Sequence, residues 1–119
     1  MKLTEPEWAV LNALWCGERF ALGQVVEALQ PVLGWSPKTV YTYLTRMEAK
    51  GLVTIDRSRP QPYSAAVTRE DCARRERDVL LSTVYGGAAG DLVAAFLKES
   101  MISQEERDRL RKLLDEMEV

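Results

Sequence analysis

Apolar residues recur at two different periods along this chain, and the change of period separates its elements. Up to about residue 50 the spacing is that of amphipathic helices, as in the run from Trp8 to Trp15. From Leu52 the period falls to two, which predicts a strand over 52–57 and a returning strand over 63–67. Beyond residue 68 the helical spacing returns. The pattern predicts three helices, a β-hairpin and three more helices.

Capping residues and helix breakers set the predicted helix ends. Thr4 with Glu7, and Ser103 with Glu106, have the spacing of capping boxes. Pro31 stops the second helix, and Gly86 with Gly87 breaks the fourth. The helices are predicted at about 5–16, 23–30, 37–50, 69–85, 91–98 and from 104 onward.

The third helix has the clearest local signals of any element. Ser36 is a good N-cap, Pro37 suits the first helical position, and Gly51 can adopt the left-handed conformation that ends a helix. Val40, Leu44 and Met47 form one apolar face at helical spacing. The opposite face is predicted to carry only hydroxyls, one phenol and two cations: Lys38, Thr39, Tyr41, Thr42, Thr45 and Arg46.

An outward face without acids is suited to duplex DNA. Its hydroxyls and cations can hydrogen-bond to base edges and phosphates in a major groove, and Arg46 can bind guanine with two hydrogen bonds. The alternative is an ordinary solvated face, since most surface helices are polar outside.

The predicted hairpin adds a second basic element. Its tip spans 58–62, and Arg57 and Arg59 can reach phosphates beside the groove, although plain solvation is the alternative. A helix-turn-helix followed by a basic hairpin is the pattern of a winged-helix DNA-binding domain, which we assign to residues 1–67. The predicted fold is mainly α with a small β-hairpin.

Residues 68–119 are predicted to form a helical dimerisation domain. This segment is too short to bury its apolar residues alone, so two copies of the chain are expected to form one core. The residues expected at that interface are Val79, Leu80, Leu92, Phe96, Leu110, Leu113 and Leu114.

Composition weakens any enzymatic interpretation. The 119 residues include no histidine, which removes the commonest general base and metal ligand. We find no phosphate-binding glycine loop and no paired Cys-x-x-Cys, so no enzyme activity, metal or cofactor is predicted. Cys16 and Cys72 are expected to be free thiols.

Charge is the main observation against DNA binding. The net charge is −2 and the pI near 5.2, which motivates an alternative function as a winged-helix module that binds a protein partner. Residues 36–59, however, carry five basic residues and two acids, a local charge of +3. The local field decides where a polyanion docks, so DNA remains the preferred partner.

No apolar run approaches the length of a membrane span, and the first residues lack an apolar signal core. We therefore expect a cytoplasmic protein without membrane insertion.

With these residues in view, the chain resembles the family of penicillinase repressors and methicillin-resistance regulators, to which copper-responsive repressors also belong. The run from Trp35 to Leu52 is the most specific part of the resemblance. The matching segments are Leu3–Trp8, Leu14–Trp15, Gly34–Val40, Leu44–Met47, Lys50–Leu52, Tyr63–Ser64, Val67, Gly86–Gly87, Leu92–Ala94 and Phe96–Leu97.

The resemblance implies a dimeric winged-helix repressor that binds a palindromic operator. In β-lactam-responsive members, a membrane sensor-protease pathway leads to cleavage in the dimerisation domain, which releases DNA. The corresponding region here is near Ala95 and Phe96, where the Asn-Phe pair of the cleaved staphylococcal members is Ala-Phe. Copper-type members carry a C-terminal Cys-x-Cys cluster, and this chain has no cysteine after Cys72.

Overall fold

A computed structural model describes residues 2–99 and 102–117 of the chain. Within them the elements are α1 (Glu5–Leu14), α2 (Leu22–Leu29), α3 (Pro37–Ala49), β1 (Val53–Ile55), β2 (Tyr63–Ala65), α4 (Arg69–Val84), α5 (Ala89–Lys98) and α6 (Gln104–Glu116). This order confirms the predicted fold class, mainly α with a small hairpin.

The chain divides into two compact units, Met1–Glu76 and Arg77–Val119. The first unit extends beyond residue 67 because Cys72, near the start of α4, is buried in its core. The functional boundary between residues 67 and 68 stays a prediction.

The core of the first unit lies between α1, α2, α3 and the hairpin. The apolar face predicted for α3 lies in this core, since Val40, Leu44 and Met47 are completely buried. Trp8 and Trp15 pack edge to face with ring centroids 6.0 Å apart, partly buried against the core. The indole Nε1 of Trp15 donates to the carbonyl of Val67 at 2.9 Å, which ties the end of α1 to the segment after β2.

The hairpin is antiparallel, with Val53 opposite Ala65 and Ile55 opposite Tyr63. Its strands are shorter than the predicted 52–57 and 63–67. The amide of Asp56 donates to the carbonyl of Pro62 at 2.8 Å, but proline has no N–H to return, so regular pairing ends there. On its other edge, Tyr63 forms an isolated antiparallel bridge with Phe20, the residue that precedes the α2 cap.

Local capping explains most helix ends. Thr4 Oγ1 accepts from the amide of Glu7 at 3.3 Å, and Glu7 Oε1 accepts from the amide of Thr4 at 2.9 Å, which confirms that capping box. The box at Ser103 and Glu106 is likewise formed. The predicted ends were displaced by one or two residues in α1, which stops at Leu14, and in α5, which starts at Ala89.

The second unit has little core of its own. Gly86 and Gly87 have φ values of +56° and +88°, a conformation that glycine adopts without strain, and they separate α4 from α5 as predicted. No described residue of α5 or α6 is buried. No single helix of the described residues is long and apolar enough to cross a membrane. Only α4 and α5 taken together reach the length and composition of a span, and the chain bends by 92° at the break between them.

Candidate nucleic-acid interface

The N-terminal end of α3 is held by a cap and by aromatic packing. Ser36 Oγ accepts from the amide of Thr39 at 3.3 Å, and Pro37 opens the helix. Trp35 packs on Tyr43, with ring centroids 4.3 Å apart, and its carbonyl accepts from Gln30 Nε2 at 2.9 Å. These contacts fix the direction in which α3 leaves the α2–α3 turn.

The C-terminal end of α3 is held by a glycine cap and an ion pair. Gly51 has φ +78°, and the amide of Leu52 donates back to the carbonyl of Met47 at 2.9 Å. Lys50 Nζ lies 2.7 Å from Oε2 of Glu7, a carboxylate of α1 that is only 3% exposed. The pair ties the end of α3 to the beginning of α1.

The environment of Glu7 favours its charged form. Burial alone raises the pKa of this carboxyl, but the hydrogen bonds from Lys50 and from the amide and hydroxyl of Thr4 outweigh burial, so the pKa is lowered overall. Glu7 is therefore a charged anchor beneath α3.

The outward face of α3 carries the six residues predicted for it. Lys38, Tyr41 and Arg46 are exposed. The remaining three, Thr39, Thr42 and Thr45, are half-buried. The hydroxyls of Thr42 and Thr45 donate to carbonyls one turn earlier, at 3.0 Å each, and so retain lone pairs for an outside donor.

The two cations of this face, Lys38 and Arg46, form no ion pair with any described residue. The face can therefore present two positive charges between hydroxyls, the arrangement that base edges and phosphates recognise.

The two arginines of the hairpin, which we call the wing (residues 53–65), are by contrast each paired with an acid. Arg57 donates to both carboxylate oxygens of Glu48, at 3.1 and 3.2 Å, and this partner raises the pKa of the guanidinium. Arg59 Nε donates to Asp56 at 3.0 Å. Bonds from the hydroxyl and amide of Ser58, and then from Arg59, lower the pKa of Asp56. The pair between Arg57 and Glu48 joins the wing directly to α3.

Several positioning residues were missed by sequence reasoning. The contacts Glu7–Lys50 and Glu48–Arg57 span 43 and 9 residues, and no local pattern indicates either.

The predicted dimerisation residues all belong to the second unit. The exposed ones are Val79 at 47%, Leu80 at 41%, Phe96 at 40%, Leu113 at 55% and Leu114 at 65%. Leu92 and Leu110 are half-buried. A groove of about 450 Å³ lies between α5 and α6, and Val93 and Leu97, which were not predicted, line it with Leu110 and Leu114.

Comparison with known proteins identifies the family of the chain. Residues 3–116 match the family described as penicillinase repressor. The chain belongs to the penicillinase repressor family. It is 30% identical over 117 residues to the methicillin resistance regulatory protein MecI of Mammaliicoccus sciuri, with 96% of this chain and 94% of MecI covered. It is 25% identical to the penicillinase repressor of Staphylococcus aureus, with 98% and 94% covered.

The family assignment confirms the resemblance found from the motifs. Penicillinase repressors are DNA-binding transcriptional repressors and not enzymes, so the prediction of no enzyme activity is confirmed. A solved structure of the transcriptional repressor CouR bound to p-coumaroyl-CoA is also similar, with a TM-score of 0.49, 21% identity and coverage of 96% and 72%. That similarity is too low to assign a ligand to this chain.

Proposed function

We propose that this protein is a dimeric, sequence-specific repressor that inserts α3 into the major groove of a palindromic operator. The observation that carries the proposal is the outward face of α3, where Lys38 and Arg46 stand among hydroxyls without an acid partner in the described residues. Arg46, at the exposed end of this face, is the residue that reads guanine.

Two substitutions at Arg46 separate base reading from charge. Arg46→Lys keeps the positive charge but loses the planar fork, so selectivity for the operator over a mutated operator should fall by about 1–3 kcal/mol, or roughly 5- to 150-fold. Arg46→Ala should lose the same selectivity and also weaken binding to any duplex. The measurement is a mobility shift with promoter DNA from the chain's own operon and with point-mutated versions of it.

Unchanged affinity and selectivity in both variants would remove Arg46 from the interface. Failure of the wild-type protein to bind even at low salt would instead favour the alternative function, a winged-helix module that binds a protein partner, which the pI near 5.2 motivates.

A second copy of the chain is proposed to cover the apolar side chains of the second unit. Support comes from their exposure, since Leu113 and Leu114 are 55% and 65% exposed on a helix without a buried residue. Sedimentation should give a dimer at micromolar concentration, and Leu113→Asp should shift it toward monomer, whereas Lys112→Asp, one residue away, should have a smaller effect. A wild-type monomer would contradict the proposal.

A sensor-protease pathway acting near Ala95 and Phe96 is the release mechanism that the family resemblance suggests. Both residues lie inside α5. Proteases bind extended backbone, so we infer that cleavage there would require α5 to unwind first. Mass spectrometry of the protein from induced cells, compared with a Phe96→Ala variant, tests for the cut.

A further inference from the structure

A small cleft at the wing tip brings together two arginines that are distant in sequence. Arg19, from the turn after α1, and Arg59, from the wing, line it with Pro60 and Gln61. Its volume is about 140 Å³, well below that of typical sites for small organic ligands. A cleft of this size with two guanidinium groups is suited to a single phosphate group.

Backbone hydrogen bonds hold Arg19 next to the wing. Phe20, its neighbour, exchanges two bonds with Tyr63 of β2, at 2.8 and 3.0 Å. Gln61, which also lines the cleft, donates from its Nε2 to Gln24 Oε1 over a distance of 3.1 Å. The same oxygen of Gln24 accepts from the amide of Ala21 at 2.8 Å. The cleft is therefore built on fixed elements and needs little ordering when a ligand binds.

The charge of Arg19 is not neutralised by any residue that the structure describes. Its Nη1 atom is buried without a hydrogen-bond partner, and no described acid forms an ion pair with it. Glu18, the adjacent acid, is exposed. Asp56, the acid on the Arg59 side, is already bonded to Arg59 and Ser58. The described lining of the cleft thus contains two guanidinium groups and no carboxylate.

We propose that Arg19 and Arg59 clasp a backbone phosphate of the DNA beside the groove that α3 enters. The inference rests on the proposed function, because the pair between Arg57 and Glu48 places the wing against α3. Arg19 then adds a phosphate contact from outside both the recognition helix and the hairpin.

The test compares Arg19→Ala and Arg19→Lys with a matched control, Arg74→Ala, which removes the same charge from an α4 residue that is 60% exposed. Affinities for the operator and for a random duplex are measured across a salt series. Arg19→Ala should weaken both duplexes by the same factor, because phosphate contacts carry no sequence information. The slope of log K against log salt should become shallower by about 0.9 per subunit, while Arg19→Lys and Arg74→Ala keep the wild-type slope.

The outcomes separate this inference from the proposed function. If the wild type binds DNA and Arg19→Ala has the same salt slope as the wild type, the phosphate clasp is overturned and the proposed function stands. A loss confined to the operator also overturns it, because that result indicates a displaced α3. Absence of wild-type binding to either duplex overturns both proposals. Inorganic phosphate at constant ionic strength tests the other source of this chemistry. Competition with DNA that is seen with wild type and not with Arg19→Ala supports the clasp, because phosphate and DNA then share the cleft. Phosphate binding that depends on Arg19 but leaves the DNA affinity unchanged would make the cleft a free-anion site and overturn the DNA assignment.

Discussion

Substitutions at Glu7 test whether the buried ion pair holds α3 against α1. Glu7→Ala removes the bond to Lys50 and also the capping-box bond to the amide of Thr4, which are 2.7 and 2.9 Å long. Glu7→Gln keeps an acceptor for Thr4, as glutamine does in capping boxes, and loses only the charge. The difference between the two variants separates the cap from the ion pair.

The expected magnitudes follow from these contacts. A hydrogen bond to a charged partner contributes about 1.5–3 kcal/mol to stability, and a neutral one about 0.5–1.5 kcal/mol. The Lys50 side chain is 46% exposed and can be solvated by water once Glu7 is replaced, which reduces the stability lost. We expect Glu7→Ala to cost about 2–3 kcal/mol and Glu7→Gln about 1 kcal/mol. In a unit of this size the midpoint temperature should fall by about 10–20 °C and about 4–8 °C, respectively.

Tryptophan fluorescence is the appropriate assay because all three tryptophans of the chain, Trp8, Trp15 and Trp35, lie in the first unit. The signal therefore reports this unit even if the second one unfolds separately. Glu5→Gln is the matched control, since Glu5 is an exposed acid in the same first helical turn, and we expect it to cost less than about 0.5 kcal/mol.

The pH dependence of Glu7→Gln gives an independent check. The pKa of Glu7 is lower in the folded chain than its usual value of 4.5, so the unfolded chain takes up the proton first. The stabilisation is complete above pH 4.5 and is lost as the pH falls through the folded pKa. The gap between wild type and Glu7→Gln should therefore close on acidification. A gap that is absent at pH 7, or that stays constant down to the acid limit, would refute the reasoning.

Three further substitutions give sharp contrasts. Gly51→Ala should destabilise the first unit by about 1–2 kcal/mol. The cause is the positive φ alone, since no atom lies within 4 Å of the added Cβ. Gly23→Ala in α2, where the added Cβ also meets no atom within 4 Å, should stabilise the unit by about 0.5–1 kcal/mol, and denaturant titration measures both changes. Leu44→Ala, at a fully buried site, should cost about 2–5 kcal/mol in the same titration. Glu48→Gln should release Arg57 from its partner and change the free energy of unfolding by less than about 1 kcal/mol. The freed guanidinium should steepen the salt slope of DNA binding by up to about 0.9 per subunit. Weaker DNA binding would show instead that the pair positions the wing.

Local signals explain why both ends of α3 were predicted to within one residue. Ser36, Pro37 and Gly51 act within a few residues of the helix they bound, so their effect can be read without knowing the tertiary structure. The strand ends were not predictable in this way, because they depend on pairing between residues on opposite strands. At Pro62, for example, the carbonyl accepts from Asp56, but the proline has no N–H to continue the pairing.

Electrostatic partners were the least predictable feature. Arg57 was expected to face phosphate or water, yet both of its terminal nitrogens bind Glu48. Glu7 was recognised as a capping residue, and its second oxygen proved to bind Lys50, 43 residues away. Such contacts depend on how helices cross, which the periodicity of one sequence does not specify.

The arrangement of these ion pairs explains how a chain of net charge −2 can present a positive surface. Three of the five cations between residues 36 and 59 bind acids of the chain itself: Lys50, Arg57 and Arg59. Their acid partners are Glu7 in α1, Glu48 in the last turn of α3 and Asp56 after β1, and none of them is one of the six residues of the outward face. The acids therefore serve to position the elements without opposing a polyanion at the face itself.

The same arrangement limits how strongly DNA binding can depend on salt. Lys38 and Arg46 on α3, together with Arg19 at the proposed cleft, are three cations without an ion pair among the described residues. Three neutralised phosphates give a slope of about −2.7 per subunit. Arg59 shares the phosphate of Arg19 in that proposal and adds none of its own. A slope of about −3.6 would require a fourth phosphate, bound by Arg57, and hence the opening of its pair with Glu48 on the operator. Because Glu48→Gln leaves that pair already open, its slope would then equal that of the wild type, and the two salt series together decide whether the wing is preformed or rearranges on DNA.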